Sequence, residues 1–180
     1  MAEHVLSGKE AVMKALEDIA KRMGGGEVSV GFMGGTENGT PIPAIAFWNE
    51  FGHEGNFPAP PRPFFRNMIA KDSPEWPERM AGLAKATNLD GEKVLKIMGE
   101  SIKDALDKSI IDLTEPALSP TTLRLREVFG NSPEKIRARD VLQAQKDVQA
   151  GETIASGTHA KPLIWTSNMK DSITFKVEKT

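Results

Sequence analysis

The amino-acid sequence predicts an α+β fold, in which a small, mostly antiparallel sheet packs with several helices around one long helix. Segments with apolar residues at every second position lie near both ends of the chain. Longer segments with apolar residues at every third or fourth position lie between them. Strands that flank a run of helices, rather than alternating with single helices, are typical of α+β architecture. A Pro-rich aromatic loop interrupts the helical part.

The first predicted element is an amphipathic helix over residues 8–23. Ser7 and Glu10 have the spacing of a capping box, in which each side chain binds a free backbone amide of the first turn. Apolar residues then recur at helical intervals, and three consecutive glycines end the pattern. The pattern therefore predicts a helix with one apolar face.

Two strands are predicted, over residues 27–33 and 172–178. In the first, Val28, Val30 and Phe32 alternate with small residues. In the second, apolar residues alternate with Thr, Lys and Glu, which indicates one face in water. The segment "GGTENGTP" after the first strand predicts a turn or a flexible loop.

Helices and one extended segment are predicted between the strands. "PAIAFWNEF" is predicted as a short, mostly buried helix, because Pro43 suits a first turn and Gly52 suits an end. The prolines of "PAPPRP" fix an extended path. The longest helix starts at Asp90 as N-cap and has an apolar stripe. The predicted helices cover residues 43–51, 63–72, 73–87, 90–110 and, with Ser132 as N-cap, 132–150.

Composition limits the classes of function. The 180 residues suit one domain, residues 1–180, with 130–158 as a helical insertion. The formal net charge of −2 gives no global attraction to nucleic acid. The absence of cysteine excludes disulfides, thiolate nucleophiles and zinc–sulfur sites. The longest uncharged stretch has twelve residues, too few for a membrane span, and no signal peptide is indicated.

No catalytic, cofactor or metal site is predicted. Gly34 and Gly39 have phosphate-loop spacing, but Thr40 stands where a Lys is needed to bind the terminal phosphates. The histidines lie far apart in sequence, in predicted termini or loops, and are expected to be solvated: His4, His53 and His159. Glu50 lies among aromatic residues, where desolvation could raise its pKa, but an exposed or paired carboxylate is preferred over a catalytic one.

The most unusual segment is residues 47–65, which contains five of the eight Phe and one of the three Trp. Aromatic side chains each bury about 150–250 Å², and a Pro-rich backbone is rigid. The segment either covers the domain's own core or docks against a partner, and the sequence leaves both interpretations open. Arg62 and Arg66 would suit salt bridges to a partner's carboxylates.

A second segment, residues 121–140, is locally basic. It contains five cationic side chains: Arg124, Arg126, Lys135, Arg137 and Arg139. Phosphate contact is one interpretation, which makes a DNA-contacting accessory protein the alternative function. Acidic residues interleave with the cations, so a solvated face of mixed charge is preferred.

Three stretches together resemble a known family. "FWNEFG" followed by "PAPPRPFFR" is similar to a signature of the tail-completion (head–tail joining, neck) morphogenesis proteins of tailed bacteriophages. "ALSPTTLRLR" and "KPLIWTSNMKDSITFKV" resemble two further elements of that family, in the same order. The matching residues are Asn49, Glu50, Phe51, Gly52, Pro61, Arg62, Pro63, Phe64, Phe65, Ser119, Pro120, Thr121, Lys161, Pro162, Leu163, Thr166, Met169, Ser172 and Ile173.

The chain departs from the family pattern at three places. Trp165 stands where an acid is usual and is expected to add a contact point. Ser167 replaces the usual Gly, so the backbone there is expected to differ. Residues 130–158 form a longer segment than the family norm.

The resemblance implies a non-enzymatic virion component without cofactors, present in the host cytoplasm during assembly. Such a protein forms a homo-oligomeric ring, commonly a hexamer, at the head-proximal end of the tail. It meets tail-terminator and neck or connector proteins and has at most weak contact with genomic DNA. The expected contact residues are Trp48, Phe51, Phe57, Pro61, Arg62, Phe64, Phe65, Arg66 and Trp165.

Overall fold

A two-stranded antiparallel ribbon pairs the strand that follows the first helix with the strand at the C-terminal end of the described chain. The computed structural model describes residues 8–54 and 58–179, apart from the side chains of residues 8–11 and 158. Its strands are β1 (Gly26–Phe32), β2 (Thr36–Glu37), β3 (Thr40–Pro41) and β4 (Ile173–Lys179). β1 pairs with β4 from Gly26 opposite Lys179 to Phe32 opposite Ile173. Both predicted strands are confirmed, each displaced by one residue.

Most of the described chain is helical. The helices are α1 (Gly8–Met23), α2 (Ile42–Phe51), α3 (Phe64–Asp72), α4 (Trp76–Ala86), α5 (Gly91–Asp112), α6 (Pro120–Phe129), α7 (Ala138–Gln149) and α8 (Asn168–Asp171). Short 3-10 turns cover Ser73–Glu75, Pro133–Lys135 and Gly157–Ala160. The α+β prediction, with a long helix and a small antiparallel set of strands, is confirmed.

The long helix α5 is the centre of the fold. Its predicted N-cap is confirmed, since the Asp90 carboxylate accepts the Lys93 N–H at 3.1 Å. The ribbon packs across α5 at Gly99, where a Cβ atom would lie 2.4 Å from the Phe175 ring. A main core forms between α2, α3, α5 and the C-terminal segment, and a smaller one between α4 and α5. The main core is formed by Ile42, Ala46, Phe64, Met68, Leu106, Ile110, Leu113, Leu163, Met169 and Ile173.

The glycine-rich segment after β1 is a tight hairpin rather than a ligand loop. β2 and β3 pair from Thr36 opposite Pro41, with Asn38 and Gly39 as the two loop residues. Both loop residues have positive φ, 49° and 82°, as the hairpin turns that match strand twist require. The turn interpretation of this segment is confirmed.

The helical prediction for residues 132–150 is wrong at its start, and α6 was not predicted as a helix. Ser132 makes no side-chain cap bond, and Pro133–Lys135 form a separate 3-10 turn. α7 begins at Ala138, where the Asp140 carboxylate accepts the backbone N–H of Arg137 at 2.8 Å. α7 packs against α6, and the backbone N–H of Ala155 donates to the Leu123 carbonyl at 3.1 Å, which attaches much of residues 130–158 to the rest of the fold.

Candidate subunit-contact surface

Glu50 connects the two halves of the aromatic stretch. Its buried carboxylate accepts the backbone N–H groups of Phe65 and Arg66 at 2.9 and 3.2 Å. The Arg66 guanidinium adds a 2.7 Å bond to the same carboxylate. These N–H groups belong to the first turn of α3, whose N-cap, Pro63, offers no side-chain oxygen. Glu50 therefore caps α3 from the end of α2 and fixes the angle between the two helices.

Two of the expected contact residues are corrected, because the structure places them inside the protein. Phe64 is only 1% exposed and lies in the main core. Arg62 is 6% exposed, and its Nε donates to the Pro116 carbonyl at 3.3 Å. Its backbone N–H also donates to the Asn49 carbonyl, at 2.7 Å. Both residues stabilise the fold and offer little surface to a neighbour.

Trp165 is also mainly an internal contact. Its indole N–H donates to the Gly130 carbonyl at 2.6 Å, and the Arg126 guanidinium lies 4.9 Å from the ring centroid. Among the other expected contact residues, Pro61 is exposed and Phe65 is half-buried, while Phe57 lies outside the described residues.

An aromatic surface that no part of residues 8–54 or 58–179 fully covers lies on α2. It consists of Phe47, Trp48 and Phe51, which are 58%, 45% and 51% exposed. Phe47 and Phe51 are one helical turn apart, and their ring centroids are separated by 4.7 Å. The Arg66 guanidinium lies 4.8 Å from the centroid of the Phe51 ring. We call these three residues the aromatic surface.

The sequence predicted a mostly buried α2, but only about half of the helix is buried. Ile42, Ala46 and Glu50 recur every four residues and are buried, whereas Phe47 and Phe51 lie on another side of the helix. Phe47 was absent from the expected contact residues. Its spacing of four from Phe51 was the sequence signal that could have identified it.

An apolar cleft adjoins the aromatic surface. It has a volume of about 280 Å³ and lies between α2, the first turn of α3 and the end of β1. Its apolar walls include Phe32, Pro43, Ala46, Phe47, Phe51 and Phe65. Arg66 lies at its rim with an exposed side chain. The cleft also contains the Glu50 carboxylate, which is bonded to Arg66, and its concave apolar surface suits a convex apolar segment.

Arg126 holds the C-terminal segment against α6. Its guanidinium is buried and donates to four backbone carbonyls at 2.7–3.2 Å: His159, Lys161, Pro162 and Ile164. Its Nε has no hydrogen-bond partner within the described part of the chain. Burial, and next the charge of Arg62, lower the pKa of Arg126 to about 10. Arg126 therefore acts as an internal clamp, a role that its position in a basic segment did not reveal.

The three motifs of the family resemblance meet in space through such contacts. Glu50 of the first motif caps the helix of "RPFFR", as described above. Arg126 of "SPTTLRLR" binds the carbonyls of Lys161 and Pro162 in "KPL". The Asn49 amide lies 4.0 Å from the Met169 sulfur, which links the first motif to the third. The polar residues of the motifs thus stabilise the fold, whereas the aromatic surface of Phe47, Trp48 and Phe51 remains exposed.

The basic segment does not form one open cationic face. Arg124 is mostly buried and bonded at 2.9 Å to both the Asp147 carboxylate and the Thr153 carbonyl. Arg126 is enclosed as described. Lys135, Arg137 and Arg139 remain exposed, and Arg139 lies 3.7 Å from Asp140. Fewer cations are available for phosphate contact than the sequence suggests, which weakens the DNA-contacting alternative.

The described residues contain no group of three metal-ligating side chains that could hold an ion. His53 is exposed, with its ring 6.3 Å from the Trp48 ring, and His159 is exposed near Arg126. His4 lies outside the described residues. Within the same ranges, no helix has the length and hydropathy needed to cross a membrane.

Comparison of the chain with protein-family models, curated proteins and solved structures finds no match.

Proposed function

We propose that this chain is a structural virion protein of a tailed phage. It acts as a tail-completion or neck component, forms a ring at the head-proximal end of the tail and enables head–tail joining. The observation that supports the proposal is the aromatic surface, where three large rings of one short helix are about half exposed beside an apolar cleft. Clustered exposed aromatic residues mark protein–protein contact sites.

The geometry of α2 suits a stable contact between subunits. Glu50 caps α3 and is bonded to Arg66, so the helix that carries the rings is fixed to its neighbour. Rings on a fixed helix lose little conformational entropy when they are buried by a neighbour. The proposed action is mechanical: each copy is held to the next by buried apolar surface, and no covalent bond is made or broken.

A ring requires two different patches on every copy. A closed ring of more than two copies uses a heterologous interface, in which the patch of one copy meets another patch on the next. The aromatic surface with its cleft is one such patch. Tail-terminator and neck proteins would then meet the faces of the assembled ring.

The test is the double substitution Phe47→Ser and Phe51→Ser, made in a phage that encodes this chain. Both residues are about half exposed, so the variant is expected to fold and to melt close to the native temperature. We expect complete heads and complete tails that remain unjoined in electron micrographs, together with a large loss of infectious titre.

The matched control is Leu142→Ser on α7, which is also exposed but lies outside the aromatic surface. It should give joined particles and normal titre. Normal titre from the Phe47→Ser, Phe51→Ser double variant, with the variant chain present in the virions, would refute the proposal.

A further inference from the structure

A second uncovered apolar feature lies on α1. Its apolar stripe consists of Val12, Met13, Leu16 and Ile19, all of which are exposed. Every described side chain of α1 from residue 12 to residue 22 is exposed, so no part of the described chain covers the stripe. An isolated helix of 16 residues is only marginally stable in water. An amphipathic helix of this kind gains its stability when its apolar face packs against another surface.

Among the described side chains of α1, residues 12–23, only that of Met23 at the C-terminal end packs against the body. Met23 packs with the smaller core between α4 and α5. A Cβ atom on Gly91 would lie 1.7 Å from the Met23 carbonyl oxygen, so glycine is required for this close approach. The rest of α1 extends from that anchor with its stripe in solvent.

The stripe and the apolar cleft belong to opposite ends of β1. The strand begins at Gly26, three residues after α1, and ends at Phe32, which lines the cleft. Seven strand residues at about 3.3 Å each place the two ends of β1 roughly 20 Å apart. One copy therefore carries an apolar helix that is attached at one end of the ribbon and an apolar cleft at the other end.

We propose that the stripe of one copy packs into the apolar cleft of a second copy. The inference rests on the proposed function, because it names the second patch that a ring requires. The shapes match, since an amphipathic helix in an apolar groove is a common mode of recognition. A polar contact is also available. Glu17 directly follows Leu16 of the stripe, and the Arg66 guanidinium at the rim of the cleft, although bonded to the buried Glu50, is more than half exposed and can bind a second carboxylate.

This contact is heterologous, so it propagates from copy to copy and can close into a ring. The main competing arrangement is isologous, with the stripes of two copies packed against each other as a coiled coil. Such a pairing would use up both stripes and leave both clefts open, and it would stop at a dimer. The two arrangements therefore place Leu16 next to different residues.

Site-directed cross-linking separates these arrangements, because the chain contains no cysteine. Leu16→Cys and Phe47→Cys variants of the full chain are mixed at high concentration and treated with a bis-maleimide reagent. We expect a covalent dimer that joins Cys at 16 in one copy to Cys at 47 in the other, as mapped by peptide mass spectrometry. The mixture of Leu142→Cys with Phe47→Cys is the matched control and should remain monomeric.

A second substitution tests whether the apolar stripe drives the cross-link. Adding Ile19→Asp to the Leu16→Cys chain places a charge in the proposed contact and should lower the yield about tenfold, equivalent to ~1.4 kcal/mol of binding free energy. Adding Val128→Asp, an exposed apolar position on α6, should leave the yield unchanged.

Two results would overturn the inference. One is cross-linking of the Leu16→Cys variant only with itself, which indicates paired stripes. The other is the absence of any product from the mixed variants at millimolar concentration. Neither result would refute the proposed function. That function is tested by head–tail joining in the Phe47→Ser, Phe51→Ser variant, and the outcome of that test does not depend on which segment covers the aromatic surface.

Discussion

At the scale of single residues, Ser167 carries a local conformational penalty. It has left-handed backbone, with φ 65° and ψ −6°, at the start of α8. The expectation that a Ser in place of Gly changes the backbone here stays a prediction; this Ser adopts the left-handed conformation that glycine adopts freely. The Ser167 side chain makes no cap bond that would compensate. The penalty therefore remains in the folded state.

Replacing Ser167 by Gly should stabilise the protein. Left-handed conformation costs an L-residue about 1–2 kcal/mol, so Ser167→Gly is expected to raise the free energy of unfolding by about 1 kcal/mol. Urea unfolding of the two chains measures the difference. The control is Ser73→Gly, at a position with helical φ of −60°, where the same change should destabilise. A stability decrease with Ser167→Gly would show that its side chain has a compensating role.

Arg126 illustrates a residue whose role follows from its surroundings rather than from its type. Arg126→Met keeps much of the side-chain volume but leaves four backbone carbonyls without their donor. Each buried polar group left unsatisfied costs about 1–3 kcal/mol, so we expect a loss of ~3 kcal/mol or more. Thermal and urea unfolding provide the measurement.

The comparison is Arg139→Met in the same basic segment. The Arg139 side chain is 87% exposed, and its change should alter the free energy of unfolding by less than about 0.5 kcal/mol. If the two substitutions lowered the free energy of unfolding equally, Arg126 would not act as an internal clamp.

At the scale of elements, local sequence signals predicted most of the fold. Periodicity identified α1, α5, β1 and β4, and the Asp90 cap located the start of α5. The signals failed around α6 and α7. The Ser-Pro pair at residues 132–133 has the composition of a helix start, but it opens only a 3-10 turn. The carboxylate that caps α7 is that of Asp140, which lies inside the helix rather than before it. In α6, the buried residues include an Arg, so the apolar pattern of the helix is weak.

The packing of α5 against the ribbon depends on a glycine in the middle of the helix. Gly→Ala normally stabilises a helix interior by about 1 kcal/mol. At Gly99 a Cβ atom would lie 2.4 Å from the Phe175 ring, so the ring must move and the sheet with it. Gly99→Ala is therefore expected to lower the melting temperature.

Gly82 in α4 provides a matched control for that test. A Cβ atom there meets no heavy atom within 4 Å. Gly82→Ala should raise the melting temperature by its helix propensity alone. Stabilisation by both substitutions would mean that α5 and the ribbon are less closely packed than described here.

The end of β4 is attached to α5 by an ion pair that should respond to pH. Hydrogen bonds from Lys179 and then from Lys96 lower the pKa of Glu92 from 4.5 to about 2. Between these two values the unfolded chain binds more protons at this site than the folded one. The stabilisation is therefore complete above about pH 5 and is lost as the pH falls toward 2.

Glu92→Gln should accordingly lower stability at pH 7 but have little effect near pH 2. Urea unfolding at low salt across this range gives the difference between the two chains, and added salt should reduce it because the pair is exposed. Glu78→Gln, in α4, changes a carboxylate without an ion pair among the described residues and serves as control. A Glu92→Gln effect that is the same at both ends of the range would rule out the ion pair as its cause.

At the scale of the whole molecule, the aromatic stretch proves to have two roles rather than one. The sequence left open whether its rings cover the core or face a partner, and the structure divides them. Phe64 packs at the centre of the main core, in an edge-to-face contact with Phe32 at 6.1 Å between centroids. Phe51 lies half exposed on the aromatic surface. Composition alone could not make this division, because it depends on the angle that Glu50 sets between α2 and α3.

The two roles predict opposite behaviour for two Phe→Ala substitutions. Phe64→Ala removes a fully buried ring and should cost about 3–5 kcal/mol, enough to unfold much of the protein at physiological temperature. Phe51→Ala should change the free energy of unfolding by less than about 1 kcal/mol, because half of its side chain is already in water. In a phage, the first variant would fail through loss of the folded chain and the second through loss of the contact.

Measuring the amount of folded chain separates these causes. Infected cells should contain little soluble Phe64→Ala protein but normal amounts of Phe51→Ala protein that does not join heads to tails. If Phe51→Ala instead unfolds the chain as readily as Phe64→Ala, then Phe51 is buried against its own molecule. The aromatic surface would then not be the subunit-contact surface.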